Sequence, residues 1–419
     1  MLNRILAKLE DPQRPLLGPN YSALRFWGLL LPEKITKRIF YLFMHFLVTF
    51  FTATEYVDIW FVKDDINLLL NNIKITFLAT VSVAKVITFL SRQKDWKAII
   101  EYVNKADLAQ RGSNNVRKNT IIWKYTKYCR KITYLYWSLM YTTVIIVMGQ
   151  PMFKFFCSEE YRNNVQNGTE TYVQVVSSWV PFDKNTVAGH IAASIFQSYA
   201  AIYGGGWITS FDTNAIVIMV FFKAELEMLR IDSSRLFGDN GDSLNEEDTV
   251  KILKDCHRRH VEYTQLFDSC LSPIMLLYMF VCSVMLCATA YQITVETNPM
   301  QQFLIAEYLI FGIAQLFMYC WHSNDVYFAS KYLMLGPYES GWWLQNATKQ
   351  NHIIILADQF NKNIVFTAGP FNDLSVSTFI NVRNLSYIYL TRFFGITSIT
   401  LVFFFQILKA AYSYYTLLK

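Results

Sequence analysis

Charged side chains are scarce in this 419-residue chain. Asp, Glu, Lys and Arg make up 17% of it, against 53% hydrophobic and 16% aromatic residues. A soluble domain carries about 25% charge, so the deficit argues against an ordinary soluble fold and for a lipid environment. Cysteine is no framework either. Of Cys129, Cys157, Cys256, Cys270, Cys282, Cys287 and Cys320, only Cys157 falls in a loop expected outside the cell, which argues against a disulfide scaffold. None of their spacings is a zinc pattern. Cys282 and Cys287 sit in an apolar run and read as small buried hydrophobes. The sequence shows no Gly-rich phosphate loop, metal-ligand cluster or nucleophile elbow, so neither catalysis, metal nor cofactor is expected. The net charge of +6 is spread over loops instead of gathered on one domain, which excludes a nucleic-acid partner. The start, MLNRILAKLEDPQRP, lacks the apolar core and cleavage site of a signal peptide. The first membrane span is therefore expected to direct insertion.

Six runs are long and apolar enough to cross a bilayer, which takes about 20 residues. They are 39–62, 66–90, 132–150, 187–211, 271–293 and 301–321. A seventh, 372–419, is overlong. The piece 21–31 (YSALRFWGLLL), bracketed by Pro19 and Pro32, is too short to cross and reads as an interfacial or re-entrant helix within a cytoplasmic N-terminus, 1–38. The expected fold class is an all-α membrane protein with seven transmembrane helices.

Basic residues set the orientation. The segments 1–38, 91–131, 212–270 and 322–371 together hold 28 Lys and Arg, whereas the intervening loops hold four. The basic side is cytoplasmic, which puts the N-terminus inside and, with seven spans, the C-terminus outside. That is the reverse of a G-protein-coupled receptor. Asn167-Gly-Thr169 then lies outside as a usable glycosylation acceptor, whereas Asn20-Tyr-Ser22 and Asn346-Ala-Thr348 lie inside. Residues 213–236 and 245–268 mix apolar and charged positions at helical spacing, so spans four and five are expected to continue as long intracellular helices. Glu225, Glu227 and Asp232 read there as a solvated face. The 322–371 segment, with Trp342, Trp343 and the run Ile353–Leu356, reads as a packed intracellular anchor.

The tail ILKAAYSYYTLLK, Ile407–Lys419, and the stretch TAGPFNDLSVSTF at 367–379 resemble the C-terminal region of the insect odorant receptor family. The inverted topology, the chain length and the long intracellular helices fit that resemblance. It implies a subunit of a ligand-gated, non-selective cation channel. A tuning subunit would assemble with a shared coreceptor into a hetero-tetramer in the plasma membrane of olfactory sensory neurons. The chain lacks the larger insertion that the coreceptor carries between spans four and five, so it resembles a tuning subunit. The Thr-Tyr…Gln-Phe ending of gustatory relatives is also absent, although a gustatory-type channel of the same superfamily stays open as an alternative. A membrane enzyme or transporter would call for paired intramembrane carboxylates or His clusters.

The seventh span is interrupted. Removing the 25 residues 382–406 leaves TFINILKAAYSYYTLLK, a clean match to the family pattern. The inserted piece begins Val-Arg and ends Phe-Phe-Phe-Gln, pairs that splice-donor-like and acceptor-like codons can encode. It reads as a retained in-frame intron, with a true insertion as the alternative. At about 1.5 Å per residue, the shortened segment makes one crossing and the full one far overshoots a hydrocarbon layer of about 30 Å.

The resemblance also places the sites. Seventh spans would line the pore, where Ala410, Ser413, Thr416 and Leu417 lie close to one face and Leu417 stands at a hydrophobic constriction near the outer mouth. A small volatile odorant would sit in the outer half of the bundle among spans two, three, four and six. That selects Ile73 and Phe77, Met140, Thr143 and Val147, His190, Ser194 and Gln197, and Phe303 and Tyr308. His190 could donate to an ester or ketone oxygen or bond a backbone carbonyl. Of the intramembrane charges, Lys74 and Lys85 read as snorkelling toward the two surfaces and Glu307 as facing the interior.

Overall fold

The computed structural model describes residues 10–64, 66–112, 115–237, 246–295 and 299–381. The expected pore residues and the 382–406 segment lie outside them, as do the side chains of Phe303, Glu307 and Tyr308.

The described chain is almost entirely helical. A short helix α1 (Gly18–Phe26) leads into α2 (Ile35–Phe61), α3 (Ile66–Ser91) and α4 (Gln93–Arg111). The long α5 (Val116–Cys157) is followed by the small α6 (Glu159–Gln166), then α7 (Val187–Ser234), α8 (Glu246–Val295) and α9 (Pro299–Lys331). After α10 (Leu335–Tyr338), a 3-10 turn (Trp342–Leu344) and α11 (Ala347–Phe360), a two-residue hairpin pairs β1 (Thr367–Ala368) with β2 (Asn372–Asp373).

Four of these helices are long and apolar enough to cross a membrane: α2, α3 from Leu68, α5, and α8 between Asp248 and Leu286. In α2 the reason is visible in the spacing. Ile39, Phe43, Phe46 and Phe50 are exposed on one face, as expected of residues that meet lipid. His45, Val48, Thr52 and Glu55 are buried on the other. The expected fourth span, in α7, is too polar to join that set. It carries Ser194, Gln197 and three successive glycines, Gly204–Gly206. Its first half leaves Val187, Ile191 and Ile195 exposed, whereas every residue from Gly205 to Phe222 is buried.

The helical segments 213–234 and 246–268 are continuous with the rest of α7 and α8, and those helices run 48 and 50 residues. Glu225 does not belong to a solvated face. It is buried, accepting from the Tyr102 hydroxyl at 2.8 Å and standing 2.8 Å from His260 Nδ1. Burial, with His260 alongside, pushes the neighbouring His257 down to about 4. Asp232 is held by Lys118 at 2.6 Å. In the 322–371 segment Ile353, Leu356, Phe360 and Phe366 are buried in the main core.

The first helix differs from the interfacial piece expected at 21–31. It spans Gly18–Phe26 and is buried along one side, because Leu16, Leu17 and Leu24 join the main core. Gly28, at φ +73°, turns the chain out of it, a conformation that suits a residue without Cβ. Trp27 then packs flat on α7, where a Cβ on Gly206 would lie 2.3 Å from the indole. At the opposite corner Thr367 donates to Asp268 of α8 at 2.7 Å through its backbone N–H. Gly369 N–H donates to Ser272 Oγ at 2.9 Å. This docks the hairpin beside Pro273, a residue that lacks an N–H for the helix ladder.

Candidate ligand pocket

A cavity of about 170 Å³ lies among α2, α3, α5 and α7. A site of this size takes a molecule of roughly one ring, since an apolar cavity of ~150 Å³ admits benzene. Val48, Phe51, Leu78, Met140, Val144 and Ile208 are among the side chains that make its wall mainly apolar, and Gly204 and Gly205 open it toward the α7 backbone. A Cβ on Gly204 would meet nothing within 4 Å.

The few polar groups in the wall have a common character. Thr52 Oγ1 donates to Val48 O at 3.2 Å, Thr143 Oγ1 to Leu139 O at 3.1 Å and Ser82 Oγ to Gly204 O at 3.3 Å. Each hydroxyl has committed its hydrogen to a carbonyl and presents oxygen lone pairs. Glu55 is 1% exposed and its Oε2 has no hydrogen-bond partner among the described residues. A buried carboxyl oxygen without a hydrogen-bond partner is costly, so a ligand whose polar group pairs with it gains there.

The roof is the segment 174–184, stitched down at two points. Gln197 of α7 is fully buried. Its Oε1 accepts from the backbone N–H of Val175 at 3.1 Å and of Val176 at 3.4 Å, and its Nε2 donates to Gln174 Oε1 and Ser178 Oγ. Asp58 of α2 accepts from Asn72 Nδ2 at 2.9 Å, Ser177 Oγ at 2.5 Å and Lys184 Nζ at 3.4 Å. Val176 thereby reaches the cavity from above. Gln197→Leu would leave two buried N–H groups unpaired, at about 1–3 kcal/mol each. We expect bound ligand to dissociate about fivefold faster or more from this variant.

One helical turn below the cavity lies a buried charge cluster. Asp212 of α7 accepts from Lys85 Nζ and Tyr319 OH at Oδ1 and from Tyr136 OH at Oδ2, each at 2.6 Å. Gln315 Nε2 also donates to Oδ2. Tyr278 OH completes the set by donating to Gln315 Oε1 at 2.8 Å. Five helices, α3, α5, α7, α8 and α9, thus converge on one carboxylate. Lys85 does not snorkel: its side chain is enclosed, with the rings of Tyr278, Phe211 and Tyr319 within 6 Å. Lys74 does not snorkel either. It is buried and bonds Gln292 Oε1, and Gln292 Nε2 donates to Asn71 Oδ1 at 3.1 Å.

Of the residues expected around a ligand, Met140, Thr143 and Val147 line the cavity. Ile73 and Phe77 lie half-buried on α3, while Ile75, Leu78, Ala79 and Ser82 supply that wall. Gln197 forms the roof. Ser194 is half-buried on the same helix, and the His190 ring stacks on Tyr172 at 4.5 Å near the loop. The α2 contribution, Val48, Phe51, Thr52 and Glu55, was not anticipated. Glu55 and Asp58 are carboxylates inside an apolar run, the same signal that drew attention to Glu307.

These helices, exposing apolar side chains outward and lining an apolar cavity between them, define an all-α multi-pass membrane protein. The family model described as 7tm Odorant receptor matches residues 65–387, more than half of the chain. The chain belongs to the odorant receptor family. It is 24% identical over 142 residues to Odorant receptor 10 of Aedes albopictus, covering 34% of this chain and 38% of that one. Similarity to Odorant receptor 13a of Drosophila melanogaster is 21% over 356 residues, 78% of this chain and 80% of that one. The odorant receptor coreceptor of Aedes aegypti is 22% identical over 158 residues, 35% and 33% of the two chains. The match to Odorant receptor 10 thus spans well under half of that relative's length. In fold the chain resembles the olfactory receptor OR5 of Machilis hrabei, at TM-score 0.74, 18% identity, and 88% and 95% coverage of the two chains. The same receptor in complex with eugenol matches at TM-score 0.75 and 17% identity, covering 90% and 98%.

Proposed function

We propose that this chain is the tuning subunit of an odorant-gated, non-selective cation channel. In this reading it assembles with the coreceptor as a hetero-tetramer in the plasma membrane of olfactory sensory neurons. The observation that carries the reading is the roofed apolar cavity among α2, α3, α5 and α7, of a size for a small volatile molecule. The eugenol-bound relative of the same fold supports it, as does the short connection between α7 and α8, which leaves no room for a large insertion.

The chemistry of the wall narrows the ligand. Thr52, Thr143 and Ser82 spend their hydrogens on carbonyls, and Glu55 Oε2 lacks a hydrogen-bond partner among the described residues. The pocket therefore favours a small apolar body carrying one hydrogen-bonding group, such as a hydroxyl, that can pair with Glu55.

In the proposed topology seven spans leave the C-terminus outside, and the pore is lined by Ala410, Ser413, Thr416 and Leu417. The match to the family model stops at residue 387, just inside the interrupting segment, in keeping with the reading of 382–406 as a retained intron. Co-expression with a coreceptor, with and without residues 382–406, tests both points. Odorant-evoked current from the shortened chain and little from the full one is the expected result. Silence of both forms against a broad panel would contradict the reading. The exposed Asn167, at the C-terminal end of α6, reports the topology. Glycosidase treatment is expected to shift wild-type protein on a gel by one glycan and to leave Asn167→Gln unmoved.

A further inference from the structure

Away from the ligand cavity, a groove of about 730 Å³ opens where the chain passes from α1 into α2, against the side of α4. Six cationic side chains line it, Arg14, Arg25, Lys34, Lys37, Lys97 and Lys105, against the carboxylates of Glu33 and Glu101. Two of the cations are already engaged. Arg14 sits 3.9 Å from Asp11 and stacks 3.6 Å over the Tyr21 ring. Lys105 pairs with Glu101 at 2.8 Å and holds that carboxyl below its ordinary value. Arg25, Lys34, Lys37 and Lys97 form no ion pair among the described residues and are exposed. They face one depression from three elements, so an anion that reaches several of them together is favoured there.

The surroundings say what kind of anion. The depression includes Leu30, Leu31, Pro32 and Ile100. Directly along α2 from it, Ile35, Ile39, Phe40 and Phe43 are all more than half exposed. A cationic groove at the foot of an apolar stripe matches a molecule with a multiply charged head and long acyl chains. A single phosphodiester would engage one or two of the four unpaired cations, whereas a polyphosphorylated head would engage most of them with charge-assisted hydrogen bonds.

We propose that this groove binds the headgroup of a phosphoinositide, with the acyl chains lying along the exposed stripe of α2. The proposal rests on the orientation proposed above, which puts this end of the bundle at the cytoplasmic leaflet, where anionic lipids attract basic segments. It does not depend on what the outer cavity binds.

Purified full-length receptor in neutral detergent is titrated with four probes, and binding is followed by native mass spectrometry. The probes are dioctanoyl phosphatidylinositol bisphosphate, dioctanoyl phosphatidylserine, dioctanoyl phosphatidylcholine and soluble inositol trisphosphate. The phosphoinositide is expected to bind at least about tenfold more tightly than the other three. The R25Q/K37Q/K97Q variant is expected to weaken it by about 100-fold, given roughly a factor of five per cation removed. Undiminished binding by that variant would overturn the proposal. Soluble inositol trisphosphate binding as tightly as the lipid would do the same, since it would make the groove a site for a free anion. Should the triple variant fail to fold, a photoreactive phosphoinositide on the wild-type chain gives the answer. Labelling between Arg14 and Phe43 or on α4 supports the site, and labelling confined to other helices overturns it. Both readouts work without odorant or current, so their failure is separate from failure of the channel reading.

Discussion

Replacing Asp212 with alanine is expected to destabilise the receptor by about 3–5 kcal/mol, the loss seen when one partner of a buried ion pair is removed. The reason lies in what is left behind. Lys85 would keep its ammonium inside the bundle with no counter-charge, and the hydroxyls of Tyr136 and Tyr319 and the Gln315 amide would lose their acceptor. Because the cluster gathers five helices, the damage would not stay local. The melting temperature of the detergent-purified protein should fall sharply, and much of the chain should elute as aggregate. Substituting both partners, Lys85→Met with Asp212→Leu, should recover part of the loss, because the charge that most needed a partner is then gone. A single Asp212→Ala variant that melts with the wild type would show that the cluster does not hold the bundle.

Filling the cavity should separate stability from response. Gly204 lines the pocket, and a Cβ there meets open space. Gly204→Leu therefore places an isobutyl group where the ligand would sit. The ligand concentration needed for half-maximal binding should rise about 10- to 100-fold, the equivalent of 1–3 kcal/mol of overpacking against an occupant. Melting temperature should hold steady or climb, because a helical glycine is replaced and a void is filled. The opposite signs are diagnostic. A general folding defect would lower both quantities, and an unchanged dose–response curve would place the ligand elsewhere. Gly206→Leu gives a contrasting control, since its side chain would strike Trp27 and should destabilise the protein without touching the cavity wall.

Much of the architecture is legible in the sequence because membrane helices announce themselves by apolar length. The spans in α2, α3, α5 and α8 were all expected, as were the long extensions of α7 and α8. What periodicity could not supply was which polar residues find one another. Lys85 and Asp212 are separated by more than a hundred positions, and each alone looks like a terminal charge free to reach water. Only the crossing of α3 and α7 shows that both are enclosed. The same holds for Glu225, whose place between Tyr102 and His260 depends on how α4 and α8 flank α7. On α5 the outer-half residues expected near a ligand, Met140, Thr143 and Val147, line the cavity. On α3 the exact facing of the helix decides between Ile73 and Phe77 on one side and Ile75, Leu78 and Ala79 on the other. Rotation of a helix about its axis is set by its neighbours, and an all-round apolar segment such as 66–90 carries little record of it. Glu55 was available from the sequence, as a carboxylate in the middle of an otherwise apolar span.

The central claim is that a ligand occupies the cavity among α2, α3, α5 and α7, and photoaffinity labelling tests it most directly. A small alcohol carrying a diazirine is bound to the purified receptor, irradiated, and the modified residues are read by mass spectrometry. The account predicts labels on α5 between Met140 and Val147 and on α7 between Ala200 and Ile208, suppressed by excess unlabelled alcohol. Labels that resist competition, or that fall on the outward residues Ile39, Phe43 and Phe46, would contradict it.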